Sequence, residues 1–172
     1  KFSPVKKQGK KVNYNRIIPV LYRRSYYKLQ GSETDGRFLY SILDLDWQLV
    51  SINGGNKRNA IAREAKAVIA AEPDTLDIIN ERLEAYAEDV AEEYGAIEKD
   101  LNLGYAEYDG PEVEAIDEMT AWNLVTALCA SPHGVLAMSL EIENFVETST
   151  NLASVKMTEP GVIRIGSSQR SC

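Results

Sequence analysis

Histidine is nearly absent from this chain. His133 is the only one in 172 residues, and the two cysteines, Cys129 and Cys172, are far from it in kind and from each other in sequence. A zinc site needs three or four converging ligands. Carboxylates could make up the number, but no spacing suggests it. A Ser-His-Asp arrangement has one possible base and no nucleophile elbow. There is no P-loop and no dinucleotide glycine fingerprint. The residues alone do not describe a self-sufficient hydrolase, and neither a catalytic nor a metal-ligating residue is assigned within them. Two cysteines make no disulfide framework, and such usage points to the cytoplasm. Cys129, in an apolar helix-like run, reads as a buried free thiol. No apolar run approaches the roughly 20 residues of a membrane helix, so no membrane is expected. The first residues are basic, but no apolar stretch with a cleavage site follows them. The chain opens on Lys1 rather than Met, as expected of a trimmed or internal piece.

Acids are missing from the first thirty residues, which hold Lys1, Lys6, Lys7, Lys10, Lys11, Arg16, Arg23, Arg24 and Lys28, while the whole chain carries a net charge of −7. Two readings stay open for this segment. One is a solvated basic terminus. The other is a nucleic-acid-binding arm, with Tyr14, Tyr22, Tyr26 and Tyr27 for stacking. The acidic remainder would repel phosphate, so nucleic acid is not the expected partner.

Composition is that of an ordinary globular protein, 44% hydrophobic and 26% charged, and the length suits one domain with a real core. "RIIPVLY" reads as a short strand that Pro19 confines to a sheet edge. "RFLYSILDLD", residues 37 to 46, resembles the end of a helix. "WQLVSIN", residues 47 to 53, is β-branched and aromatic, hence a strand. Asn53-Gly54-Gly55 is a turn signal, because Gly and Asn accept positive φ at little cost. Residues 61 to 70 then return as the hairpin partner. From Pro73 to Gly95, Leu76, Ile79, Leu83 and Val90 recur at helical spacing, so a helix at about 74 to 95 buries them. "NLGYAEYDG" suggests a short strand. A second long helix is expected over "EVEAIDEMTAWNLVTALCA", started by Asp109-Gly110-Pro111 and broken at "SPHG". His133, in that breaker, reads as a helix cap or surface residue. Strands at 145 to 157 and 162 to 168 flank a turn at Glu159-Pro160-Gly161. The order helix, hairpin, helix, helix, hairpin makes the fold α+β, an antiparallel sheet with helices packed on one face.

Three polar clusters remain: Asn53 to Asn59, "TSTN" at 148 to 151 and "SSQRS" at 167 to 171. Each lies at or beside a strand end. Asn59, Asn151 and Arg170 would converge if the two hairpins shared one sheet. Arginine is the natural clamp for a planar carboxylate, and asparagine offers both a donor and an acceptor. Ordinary strand-end hydrogen bonding accounts for the same residues equally well.

"LVSINGGNKRNAIAREAKAVI", "SPHGVLAMS", "VETSTNLASVKM" and "IRIGSSQRSC" resemble the inserted lid domain of the aminoacyl-histidine (Xaa-His) dipeptidases, of the di-zinc aminopeptidase and carboxypeptidase superfamily. The likeness runs from about Arg37 to the C-terminus, with the motifs in the family's order. It implies a ferredoxin-like lid with additions over 37–172, and a basic segment outside the resemblance over 1–36. It implies a separate catalytic domain holding two zinc ions and a Glu general base, with no cofactor in the lid itself. The lid closes over a dipeptide and takes part in dimerisation, so a second copy and the catalytic domain are the implied partners. By this likeness Asn59, in "RNAIA", matches the family's Asn-Ala-Ile position that reaches the substrate or the reacting carbonyl. Arg170 matches an arginine placed for the terminal carboxylate, and Asn151 is a further substrate-binding position. The family's lid begins with a strand ending in Gly-Gly-His-Ser-Gly. Residues 1–36 contain nothing like it, and a reading-frame change or a real replacement would each produce the switch at Arg37. The expected activity of the chain alone is none.

Overall fold

The computed structural model describes residues 17–23, 31–96, 102–106, 114–159 and 161–172. Most of the basic first thirty residues, and with them the proposed nucleic-acid arm, lie outside the described residues. So do Asp109-Gly110-Pro111 and Pro160.

Among the described residues, seven antiparallel strands and three helices follow one another as β1 (Ile17–Arg23), α1 (Gly31–Ser41), β2 (Trp47–Gly54), β3 (Glu64–Ala71), α2 (Pro73–Tyr94), β4 (Asn102–Tyr105), α3 (Glu118–Ala130), β5 (Gly134–Met138), β6 (Val146–Glu159) and β7 (Val162–Ser171). The sheet order is β4-β1-β3-β2-β6-β5, with β7 paired to β6. This is the expected α+β fold.

Helix α2 forms where the apolar spacing predicts. Pro73 occupies its first turn, and its buried residues are Leu76, Ile79, Leu83 and Val90. Three of these join Phe38 and Ile42, the α3 residues Leu124 and Leu128, and Leu49, Ile52 and Ile69 of the sheet in one core cluster. Removing each such side chain from water contributes roughly 1.5–3 kcal/mol. Gly95 closes α2 without a left-handed turn, its φ being −59° and its N–H bonded to Ala91 O at 2.7 Å.

Several expectations are corrected. β1 is an interior strand, between β3 and β4, although it contains Pro19. The proline is tolerated because β4 reaches only Val20 to Arg23, so Pro19 pairs with Val68 of β3 and has no β4 residue beside it. The second long helix starts at Glu118 rather than near residue 112. Asp117 caps it, accepting from Thr120 N at 3.1 Å, while Ile116 N donates to Leu49 O at 2.7 Å and is held extended against β2. Cys129 is exposed, because the buried stripe of α3 is Ala121, Leu124, Val125 and Leu128 and residue 129 falls beside it. The tight turn at Asn53-Gly54-Gly55 is a wider loop. Gly55 leaves the ladder at φ +66° and β3 resumes only at Glu64, whose carbonyl accepts from Gly55 N at 3.0 Å. β5 was not expected, since "GVLAM" follows a double breaker. Among the described residues no helix is long and apolar enough to cross a membrane.

Candidate functional site

The loop of residues 55–63 leaves the end of β2 where β6 passes. Residues 56–60 are all exposed, among them Lys57, Arg58 and Asn59. From β6, Asn151 turns its side-chain nitrogen toward this loop. Nδ2 donates to Ala60 O at 3.0 Å and, more weakly, to Arg58 O at 3.4 Å. Its Oδ1 is buried and accepts no hydrogen bond from the described residues.

Antiparallel pairing brings β7 into the same place. Ser149 lies opposite Arg170 and Asn151 opposite Ser168. Cross-strand partners share a face and alternate residues share a face, so Ser149, Asn151 and Arg170 project to one side. A cavity of about 710 Å³, open to solvent, lies there, and its walls include Ile61, His133, Phe145, Ser149, Asn151 and Arg170. A hollow beside Trp47 and Trp122 is much smaller, about 100 Å³, and has no cationic side chain on its walls.

Of the three residues singled out by sequence, the structure brings Asn151 and Arg170 into one cavity. Asn59 stands exposed on the neighbouring loop. It is not on the cavity wall, although Ile61, two residues on, is. His133 was missed as a wall residue; it sits half-buried there rather than serving only as a cap. The available signal was its place directly before Gly134, where β5 starts. Ile61, Val135, Phe145 and Val146, the aliphatic and phenyl part of the wall, carried no local signal.

Arg170 brings a planar cation and Ser149 a hydroxyl that can donate or accept. Together they suit a small ligand with a carboxylate and a nearby donor. Tyr94, at the end of α2, also lines the cavity. Beside it the Glu93 carboxyl is held below its ordinary value, first by a hydrogen bond from Tyr94 and then by Arg37 at 3.3 Å.

Zinc does not fit these residues. Among the described residues no three His, Cys, Asp or Glu side chains converge, and His133 alone gives one nitrogen ligand where a catalytic zinc takes three protein ligands.

Residues 9–97 match the family model of the peptidase dimerisation domain. That match begins ahead of the Arg37 from which the motif resemblance runs. A relative, the cytosol non-specific dipeptidase of Escherichia coli (strain K12), is 34% identical over 119 residues, covering 69% of this chain and 24% of the relative. The crystal structure of aminoacylhistidine dipeptidase from Vibrio alginolyticus superposes with a TM-score of 0.86 at 27% identity, covering 95% of this chain and 36% of that one. The chain thus spans about a quarter of the length of the curated relative it matches.

Proposed function

The chain belongs to the peptidase dimerisation domain family, and from that premise we propose that it is the lid of a dipeptidase, closing over a dipeptide held by a zinc-bearing catalytic part that these residues do not supply. The observation that carries the reading is the cavity shared by Asn151 and Arg170, in a fold that superposes on an aminoacylhistidine dipeptidase at a TM-score of 0.86. Arg170 receives the substrate's terminal carboxylate. Asn59 reaches the substrate or its reacting carbonyl from the loop, and Asn151 borders the substrate beside Arg170. Water activation belongs to the catalytic part, and no step of it is assigned to this chain. The lid also pairs with a second copy, and the working compartment is the cytoplasm.

Two measurements test this. The purified chain with added zinc should not hydrolyse an aminoacyl-histidine dipeptide. Turnover that is abolished both by chelator and by His133→Ala would overturn the lid reading. Grafted in place of the matching segment of the E. coli dipeptidase, the chain should restore dipeptide hydrolysis. In that graft Arg170→Ala should raise KM for the free dipeptide by about ten- to a hundredfold, the scale of a charge-assisted hydrogen bond. It should leave a C-terminally amidated dipeptide little changed; equal effects on both would remove the carboxylate role. The rival reading, a basic arm on nucleic acid, requires a salt-dependent shift of RNA or DNA by the chain.

A further inference from the structure

The sheet is two hairpin systems that meet at a narrow seam. β2 and β6 share a single backbone pair, Gly54 opposite Val155. Side chains extend the contact. Asn53 Oδ1 accepts from Met157 N at 3.1 Å, where a ladder bond would otherwise run. A Cβ on Gly55 would lie 2.0 Å from Ala153 O, so the two backbones touch. The third stitch is Asn151, whose Nδ2 reaches the carbonyls on either side of Asn59.

Residues 56–60 of that loop are exposed. Among the described residues its own backbone bonds are Ala60 N to Lys57 O at 3.3 Å and the closing Gly55 N to Glu64 O. Exposed segments with few internal bonds open locally at low cost. Two N–H donors on one carboxamide can bind the carbonyls of residues 58 and 60 together. Aspartate has no such donor, and serine has only one. Asn151 also stands on the same face of the β6–β7 hairpin as Arg170.

We propose that Asn151 is a positioning residue: it clamps the Asn59 loop to β6 and so sets where Asn59 stands relative to Arg170. The consequence for substrate rests on the lid reading; the clamp does not. In the lid, Asn59 and Arg170 come from loops and strands about a hundred residues apart in sequence, and Asn151 is the side chain that ties one to the other.

The test is hydrogen exchange followed by NMR on the free, unliganded chain. In the unmutated protein the Asn151 carboxamide protons should exchange about tenfold more slowly than those of exposed Asn56, the scale of one net hydrogen bond. In Asn151→Ala and Asn151→Asp the Ala60 amide should exchange about tenfold faster, again the scale of that bond, while the Ile69 and Leu152 amides stay as they were. Asn53→Ala should speed the Met157 amide and leave Ala60 alone. The clamp is overturned if the Asn151 and Asn56 carboxamides exchange alike. It is also overturned if Ala60 is unmoved in both variants, or if Leu152 speeds up equally, which marks a general loosening of β6. In the grafted enzyme, Asn59→Ala with Asn151→Ala should lose no more kcat than Asn59→Ala alone; additive losses would overturn the positioning role. No substrate enters the exchange experiment, so its failure leaves the lid reading standing. Failure of the graft to hydrolyse dipeptide sinks that reading and leaves the clamp.

Discussion

β3 and β7 are both strands of one sheet, and they live in opposite environments. β3 lies between β1 and β2, and from Ala67 to Ala71 every residue is buried. β7 has only β6 beside it among the described residues, and no residue of it is fully buried. The first strand is held by packing and by ladders on both sides. The second is held by one ladder, which leaves its side chains free to meet a ligand. The proposed lid reading assigns stability and recognition to different strands, with the β2–β6 seam between them.

The largest effect that would test this division is in the packed half. Ile69→Ala removes a side chain with no exposed surface from the main cluster, and it should lower unfolding free energy by about 2–5 kcal/mol in urea titrations. A loss under about 1 kcal/mol, the mean for point changes generally, would deny β3 its central role. Next comes the seam. Gly55→Ala forces a Cβ toward Ala153 O at a positive φ, and should cost about 1–3 kcal/mol as the backbone yields. Thermal unfolding indistinguishable from the parent would mean the two hairpin systems do not bear on each other there.

Arg170→Ala should fall at the other extreme. The residue is exposed on β7, so denaturant unfolding should move by no more than about 0.5 kcal/mol. Destabilisation of the size expected for Ile69→Ala would contradict the separation of recognition from packing. The smallest expected effect is on the helical side, where Arg82 holds Asp44 through paired bonds of 2.6 and 2.8 Å. The hydrogen bonds from Arg82 hold the Asp44 carboxyl below its ordinary value. A depressed folded-state value means the pair adds stability above the unfolded value, near pH 3.9. That contribution is lost as pH falls through the folded midpoint. The difference between the parent and Arg82→Ala should therefore be constant from neutral pH to about 5 and shrink below about 4. Both groups are solvent-exposed, so the difference is small throughout. An Asp44 titration midpoint unchanged by Arg82→Ala would remove the pair from the account.

Local pattern was enough to read some elements before any coordinates. The stripe of α2 was legible because Leu76, Ile79, Leu83 and Val90 repeat at the pitch of a helix, and the same four residues are buried in the structure. The β6–β7 hairpin was legible from alternation around Glu159-Pro160-Gly161. Its register was not. The pairing shifts twice, between Leu152 and Ser154 and between Met157 and Glu159. An unbroken count from the turn puts Arg170 opposite Asn151, whereas the bulged ladder puts it opposite Ser149. Two one-residue shifts restore the parity, so Arg170 and Asn151 still share a face.

By itself, then, the sequence determined the elements whose signal is periodic, the α+β class and the family to which the motifs belong, because those depend on neighbours a few residues away. Tertiary structure decided the rest. It placed β1 inside the sheet despite Pro19, since the unpaired side of a proline matters only where a neighbouring strand reaches it. It shortened the second helix, because Leu49 O takes the N–H of Ile116 from across the sheet. It turned one carboxamide of Asn151 onto the loop around Asn59 and left the Arg170 guanidinium in the cavity beside it. Such bonds join residues about ninety positions apart, and no local pattern in a single chain encodes the closing of so long a loop.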